Sequence, residues 1–513
     1  MSRVMPRHPH PAPRRARRTL EGRLGRRNGA GNTLGEATGP RFSRGLVDVL
    51  LMALLFFLSF GLNLDKVDVT PFHPDESRWL HRSFYLEDLR DPFGETWQDY
   101  YLTRGQPPLG SYMMGIGQLV QDRPLRPNIA WDFFFDRERG WNETAGAMPS
   151  AEDLRAGRQT SGFVGALVVA AVYLLGRQLT NRVGGLAAGF FLAYHPLHMH
   201  IGSQALSDQL LNLLLTLTFL TAFMFARRPT WAWAVTLGVL FGLGGAAKLS
   251  PLLLSLPATA LGLYFFMTRS WLDRARKGAT RDRRAFKLVV QPVIAFGAFV
   301  VAYPYLWVAP LQHTYNLFRF RVDEMEAQGM VNDRNRVENS WIALDRIGNR
   351  IGEQWQTSAG PVSALNERYG LTLNPFGFDP MLAMIGLVLF GVLVFRHGIR
   401  SSHAFVLLLV LAESGAIVLG LRSDLYRYQL PLVLVEAICI SVLAGVIWRA
   451  LAPFDAFSWL RGYIVLPFDA GRLRADDPLP RPVPVPGRRK PASRVRSDAL
   501  PRREGLRSPS LTS

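Results

Sequence analysis

The stretch RGLVDVLLMALLFFLSFGLNLDKVDVTPFHPDESRW, residues 44–79, contains the first long apolar run of the chain and its exit. Residues 44–64 are long and apolar enough to cross about 30 Å of hydrocarbon. His73, Asp75, Glu76 and Arg78 follow within a few residues. The stretch therefore predicts a membrane helix that ends beside a cluster of ionisable side chains.

Similar apolar runs recur along the 513 residues, of which 48% are hydrophobic. The predicted spans are residues 44–64, 160–180, 184–203, 206–226, 231–247, 249–268, 288–309, 378–396, 403–420 and 429–448. This pattern predicts an all-α polytopic membrane protein with about 10 transmembrane helices, within a range of roughly 9–12. Residues 44–450 form the predicted transmembrane domain.

The net charge of +19 is concentrated in three segments. Residues 1–45 hold eleven arginines and two glutamates, residues 269–287 hold eight basic and two acidic side chains, and residues 451–513 hold twelve and six. With the N-terminus in the cytoplasm, every inside connection is basic, as the positive-inside rule requires. We therefore predict a multi-pass plasma-membrane protein with both termini cytoplasmic, and we do not expect it to bind nucleic acid.

The ends of the chain and its two longest loops differ in character. Residues 1–43 and 451–513 are basic, rich in Pro, Arg and Ser, and lack apolar periodicity, so we predict disordered cytoplasmic segments attracted to anionic lipids. The loops 65–158 and 310–377 fall on the extracytoplasmic side. The segment RGQPPLGSYMMGIGQLV, residues 104–120, predicts a juxtamembrane helix in the first loop.

Ionisable groups gather on this predicted outer face. Arg158 opens the second span, Asp208 lies just inside the fourth, and Lys248 and Arg427 lie at outer turns. Ionisable groups within a membrane are costly and indicate function by default. Together with Asp75 they suggest a reaction in which a carboxylate takes the proton of an acceptor hydroxyl, which attacks a sugar carbon while cations stabilise a departing lipid phosphate.

The same motifs resemble those of the C-type glycosyltransferases, in the branch of the protein O-mannosyltransferases and the lipid A aminoarabinose transferases. The similar segments are FHPDESRW, QPPLGSYMMG, GRQTSGFVGALVVAAVYLLG, SQALSDQLLNLLL and RYQLPLVLV, in family order. The resemblance implies an inverting enzyme that uses a polyprenyl-phosphate sugar and transfers it to a protein, glycan or lipid hydroxyl of the cell envelope.

Carried over residue by residue, the resemblance implies that Asp75 is the catalytic base and that Glu76 helps to shape the acceptor site. Arg158 becomes the first candidate for binding the donor phosphate, followed by Lys248 and Arg427. Two further residues are supporting candidates, Asp208 and Gln106.

This chain departs from the family pattern before PPLG. It has Gly105-Gln106 where the protein mannosyltransferases have His and the lipid A enzymes have Glu-Lys. We therefore predict no protein metal site and no certain cofactor, and leave open a divalent cation that assists the reaction. His195, His198 and His200 do not follow a recognised ligand spacing.

Two other functions fit parts of the sequence. A transporter or flippase for a lipid-linked saccharide would need polar or broken helices through the midplane, for which Glu413 and Glu436 are the main candidates. A non-catalytic envelope assembly protein would tolerate Asp75→Asn. The collection of polar residues at one surface favours surface chemistry over translocation.

Overall fold

The computed structural model of the chain describes residues 44–130, 132–273, 283–331, 336–356, 368–370 and 378–451. The predicted arm, residues 1–43, and the predicted tail from residue 452 onward lie outside the described residues. The described chain divides into two units between residues 51 and 52, and the described part of the first unit is the beginning of the first helix.

The described residues form nineteen α-helices joined by turns and short 3₁₀ segments, without a β-strand. The helices are α1 Arg44–Val67, α2 Pro74–His81, α3 Tyr101–Gly105, α4 Leu109–Val120, α5 Arg139–Thr144, α6 Ala151–Leu179, α7 Arg182–Tyr194, α8 Pro196–Gly202, α9 Asp208–Arg227, α10 Trp231–Ala247, α11 Ser250–Leu253, α12 Ser255–Asp273, α13 Arg283–Val289, α14 Gln291–Ala302, α15 Pro310–Val331, α16 Ser340–Gln356, α17 Phe378–His397, α18 Ser402–Gly420 and α19 Leu430–Leu451.

The architecture confirms an all-α polytopic membrane protein. Eight segments of the described chain are helical, long and apolar enough to cross a membrane, and they fall on eight of the ten predicted spans. The other two predicted spans coincide with shorter apolar helices, α7 and α10. Both long loops contain helices, α2 to α5 in the first and α15 and α16 in the second.

The predicted span at residues 184–203 is not one helix. The chain breaks between α7 and α8, where His195 is extended and caps α8 through its own ring nitrogen, which accepts the N–H of Leu197 at 3.2 Å. Pro196 occupies the first turn of α8, where its missing N–H costs nothing. A proline also disfavours the helical conformation in the residue before it, which explains the break.

Small residues allow the apolar helices to pack closely. A Cβ at Gly242 of α10 would overlap the carbonyl oxygen of Ala295 on α14, and one at Gly386 of α17 would overlap the backbone of Cys439 on α19. Helices in lipid associate through such close contacts because burial of apolar surface supplies little driving force there. These contacts fix the relative positions of the helix ends that carry the polar residues.

We expect Gly242→Leu to destabilise the protein, because its side chain would have to displace the backbone of α14. Overpacking of a close contact costs about 1–3 kcal/mol, which should lower the midpoint of thermal unfolding in detergent. Gly297→Leu on α14 is the matched control, since a Cβ there meets no atom within 4 Å. Equal midpoints for the two variants would contradict this view of the α10–α14 contact.

Candidate functional site

The site is built around the start of α2. His73 is the N-cap of this helix, and its Nδ1 accepts the N–H of Asp75 at 3.1 Å. Glu76, three residues after the cap, accepts the N–H of His73 at 2.8 Å, which completes a capping box. Pro74 favours the first helical turn. This local sequence fixes the backbone of the two acidic residues, so that they point in different directions.

Glu76 is fully buried and forms a bidentate ion pair with Arg158 of α6. The two Arg158–Glu76 hydrogen bonds measure 2.8 and 2.9 Å, and Glu76 Oε1 also accepts the N–H of Ala205 at 2.8 Å. The remaining N–H groups of Arg158 are donated to the carbonyl oxygens of Val67, Thr70 and Pro71. All five guanidinium N–H groups therefore have acceptors within the protein.

Asp75 has a different partner. Its Oδ2 forms an ion pair with Arg427, which lies in the 3₁₀ segment Tyr426–Gln429 before α19. The Asp75 side chain remains 17% exposed. Burial raises the pKa of the Asp75 carboxyl, but the charge of Arg427, assisted by His73 and Arg78, outweighs burial and holds the pKa at about 2. The predicted base is therefore ionised and strongly held in this structure.

A second ion pair lies next to the first. Lys248, which follows α10, pairs with Asp208 at the first turn of α9. The Tyr428 ring contacts both cations, with its centroid 5.4 Å from the Arg427 guanidinium carbon and 5.6 Å from Lys248 Nζ. We call these five residues, Asp75, Arg427, Tyr428, Lys248 and Asp208, the ionic cluster.

Other polar side chains surround the ionic cluster. Arg78 pairs with Asp132 at 2.8 Å and lies 5.5 Å from the centroid of the Tyr101 ring. His200 Nε2 is 3.3 Å from the hydroxyl of Tyr426. Arg78 also interacts electrostatically with Asp75, and Tyr426 directly precedes Arg427, so both contacts lie at the edge of the ionic cluster.

Gln106 lies at the end of α3 and takes part through its backbone. Its carbonyl oxygen accepts a hydrogen bond of 2.6 Å from the buried guanidinium of Arg82. Within the described part of the chain, its side chain has no hydrogen bond to the ionic cluster. A supporting role of the Gln106 side chain therefore stays a prediction.

The acidic residues and histidines of the described ranges do not form a group of three or more that could hold a metal ion. Asp75 and Asp208 each already face a cation of the protein. His195 caps α8, and His200 contacts Tyr426. Within the described ranges, these side chains offer no convergent ligand set.

The structure thus brings together Asp75, Glu76, Arg158, Asp208, Lys248 and Arg427 at one end of the helix bundle. Sequence reasoning gave no role to His73, although a glutamate three residues after a potential cap was a usable signal. It also missed Tyr428, whose aromatic face beside Arg427 could have suggested a cation–π contact.

Residues 151–279, which run from α6 past α12, match the family model described as dolichyl-phosphate-mannose-protein mannosyltransferase. The match covers 129 of the 513 residues, and it includes Arg158, Asp208 and Lys248 but not Asp75 or Arg427. It confirms the resemblance to the C-type glycosyltransferases that use polyprenyl-phosphate sugars. No curated protein sequence matches the chain.

Several solved structures are similar to the chain at low identity. The oligosaccharyltransferase AglB from Archaeoglobus fulgidus has 12% identity and a TM-score of 0.46, over 82% of this chain and 52% of that one. ArnT from Cupriavidus metallidurans has 17% identity and a TM-score of 0.44, over 82% of this chain and 62% of that one. The Saccharomyces cerevisiae Pmt1–Pmt2 complex has 16% identity and a TM-score of 0.37, over 52% of this chain and 34% of that one. The chain spans about half the length of the archaeal structure.

We expect Arg158→Lys to destabilise the protein although the charge is kept. An ammonium group cannot replace five N–H donors in a planar fork, so buried carbonyl and carboxylate oxygens would lose partners. The loss should be about 2 kcal/mol or more, measured as a lower midpoint of thermal unfolding. Arg155→Lys, three residues earlier in an exposed pair with Asp68, is the control and should leave the midpoint unchanged.

Proposed function

We propose that the chain is a membrane glycosyltransferase that moves a sugar from a polyprenyl-phosphate donor to a hydroxyl acceptor. The observation that carries the proposal is the ionic cluster. There a partly exposed carboxylate pairs with Arg427, and a second cation, Lys248, contacts the same Tyr428 ring at one end of an apolar helix bundle. A base and an anion-binding group are the two functions that this transfer requires. The family-model match over residues 151–279 supports the same class of donor.

The proposed reaction is a single displacement. Asp75 takes the proton of the acceptor hydroxyl, the hydroxyl oxygen forms a bond to the anomeric carbon, and the bond from that carbon to the phosphate oxygen breaks. The electron pair of the broken bond stays on the polyprenyl phosphate, which leaves. Attack from the side opposite the phosphate inverts the anomeric configuration. Protonated Asp75 then returns its proton to water.

The cations of the ionic cluster are the proposed phosphate contacts. Lys248 is the more accessible one, with 27% of its side chain exposed, and Asp208 holds its ammonium in place. Arg427 can contact the phosphate on the side that faces Asp75. Arg158 would have to give up a bond to Glu76 or to a carbonyl, so we now propose that Arg158 and Glu76 position the start of α2 and do not touch the donor.

The proposed location follows from the charge pattern. If successive spans alternate in direction, the basic connections and termini fall on one side of the membrane and the ionic cluster on the other. The positive-inside rule then favours cytoplasmic termini and an extracytoplasmic site in the plasma membrane. A membrane enzyme suits a donor that the bilayer retains. The acceptor class that we propose is a hydroxyl of a protein, an envelope glycan or a lipid.

The alternative function is a transporter or flippase for a lipid-linked saccharide. Its support is Glu413, which is buried in α18, with Oε1 accepting the Ser250 hydroxyl at 3.0 Å and Oε2 lacking a partner among the described residues. Glu436 of α19 is also buried. These two acids lie within apolar helices, whereas the charged groups that could act on a phosphate gather at the helix ends.

We expect Asp75→Asn to abolish transfer, because the amide cannot accept the proton. Loss of a general base lowers a rate by about 10²–10⁴-fold. The assay uses membranes that contain the protein, a labelled polyprenyl-phosphate sugar and an envelope extract, and it measures label that leaves the lipid.

Asp132→Asn is the matched control, since it changes a neighbouring carboxylate of the same loop that pairs with Arg78. Equal transfer by wild type and Asp75→Asn would contradict the proposed mechanism. Movement of intact donor across the bilayer without chemistry would favour the transporter.

A further inference from the structure

The two arginine–carboxylate pairs of the site differ in how completely their hydrogen bonds are satisfied. Arg158 donates all five N–H groups to the protein. Arg427 contacts Asp75 through one terminal nitrogen, and its buried Nε has no hydrogen-bond partner among the described residues. A buried donor without an acceptor costs free energy, and an incoming anion can satisfy it. Arg427 is therefore prepared to bind a second acceptor.

The same pair makes Asp75 a weak base. A carboxylate whose pKa is about 2 has little tendency to take a proton near neutral pH. His73 and Arg78 face it from α2, and Arg427 faces it from the segment before α19. Asp208 interacts with Arg427 from α9, and Asp208 is itself paired with Lys248. Of these groups, Arg427 exerts the largest attraction on the carboxylate, so the strength of the base depends on it.

We propose that the donor phosphate and Asp75 compete for Arg427, so that donor binding releases Asp75 to act as the base. The inference rests on the proposed function and adds the regulation of its site. Arg427 keeps an anionic partner in both states, the carboxylate before binding and the phosphate afterwards. This exchange avoids leaving a buried guanidinium unpaired, which would be strongly unfavourable. It also imposes an order in which the donor binds before the acceptor reacts.

Competition of this kind has a consequence that a simple catalytic role lacks. Removing the negative charge of Asp75 removes the competitor, so Asp75→Asn should bind a short-chain polyprenyl phosphate more tightly than wild type does, while remaining inactive. Linked sites commonly affect each other by about fivefold or more. We therefore expect the dissociation constant, measured by titration of the purified full-length protein in detergent, to fall by at least about fivefold.

Asp132→Asn serves as the control for net charge. It removes one negative charge from the pair with Arg78, a residue that also interacts with Asp75. Among the described residues, Asp132 has no hydrogen bond or ion pair to Arg427. If it tightens binding as much as Asp75→Asn, general electrostatics explains the effect and the exchange is wrong. Equal or weaker binding by Asp75→Asn, with wild-type transfer intact, overturns the exchange and leaves the proposed function standing. Absence of binding by both wild type and Asp75→Asn overturns both.

The wild-type protein supplies a second measurement that does not depend on a variant folding. Asp75 works only when it is deprotonated, so transfer falls as the pH drops through its pKa. With donor saturating, the exchange predicts an acid limb at about pH 4 or above, because the carboxyl loses the charge of Arg427 and keeps the burial that raises its pKa. If Arg427 stays on Asp75, the carboxyl keeps its pKa of about 2 and no limb appears near pH 4. That flat profile would contradict the proposal.

His73 needs its own control in the pH measurement, because burial lowers its pKa and brings its titration closer to that of a carboxyl. His73→Asn removes the imidazole and retains a side chain that can cap α2. The acid limb should persist in this variant. Its disappearance would assign the limb to His73 and overturn the release of Asp75.

Discussion

The bidentate pair between Glu76 and Arg158 is the interaction on which the site depends. It joins four separate parts of the chain: the end of α1, the start of α2, α6 and the turn before α9. A buried ion pair is favourable only when the lone pairs and protons that remain have partners. Here every guanidinium N–H is used, and Glu76 accepts four hydrogen bonds. The pair therefore determines where the neighbouring Asp75 lies.

Adjacent acidic residues thus have opposite environments. Glu76 is fully buried and its hydrogen bonds are satisfied, whereas Asp75 is partly exposed and held by an arginine that has an unused donor. The Glu76–Arg158 pair, whose hydrogen bonds are all satisfied, gives rigidity. The Asp75–Arg427 pair, which has an unused donor, can change partners. A site needs both properties, because a rigid support allows a small local exchange to occur without movement of the helices.

The sequence predicted the fold and the gathering of site residues better than it predicted their roles. Hydropathy located the eight described helical segments that are long enough to span a membrane, because lipid requires long apolar helices. It missed the break at His195, because the local effect of a proline does not change an average hydropathy. The roles of Glu76 and Arg158 depend on hydrogen bonds between residues that are 82 positions apart in the sequence. Asp75 and Arg427, which form the other pair, are 352 positions apart. No local pattern encodes which arginine meets which carboxylate.

The direction of charge movement explains why a cation between base and phosphate would be useful in the proposed reaction. Before transfer the negative charge is on the carboxylate of Asp75, and after it an additional negative charge is on the departing phosphate. A cation fixed to Asp75 would stabilise the starting state and oppose this movement, whereas catalysis requires interactions that strengthen toward the transition state. In the proposed reaction Arg427 can follow the charge because its buried Nε has no acceptor among the described residues, while Lys248, which Asp208 holds, would stay beside the phosphate.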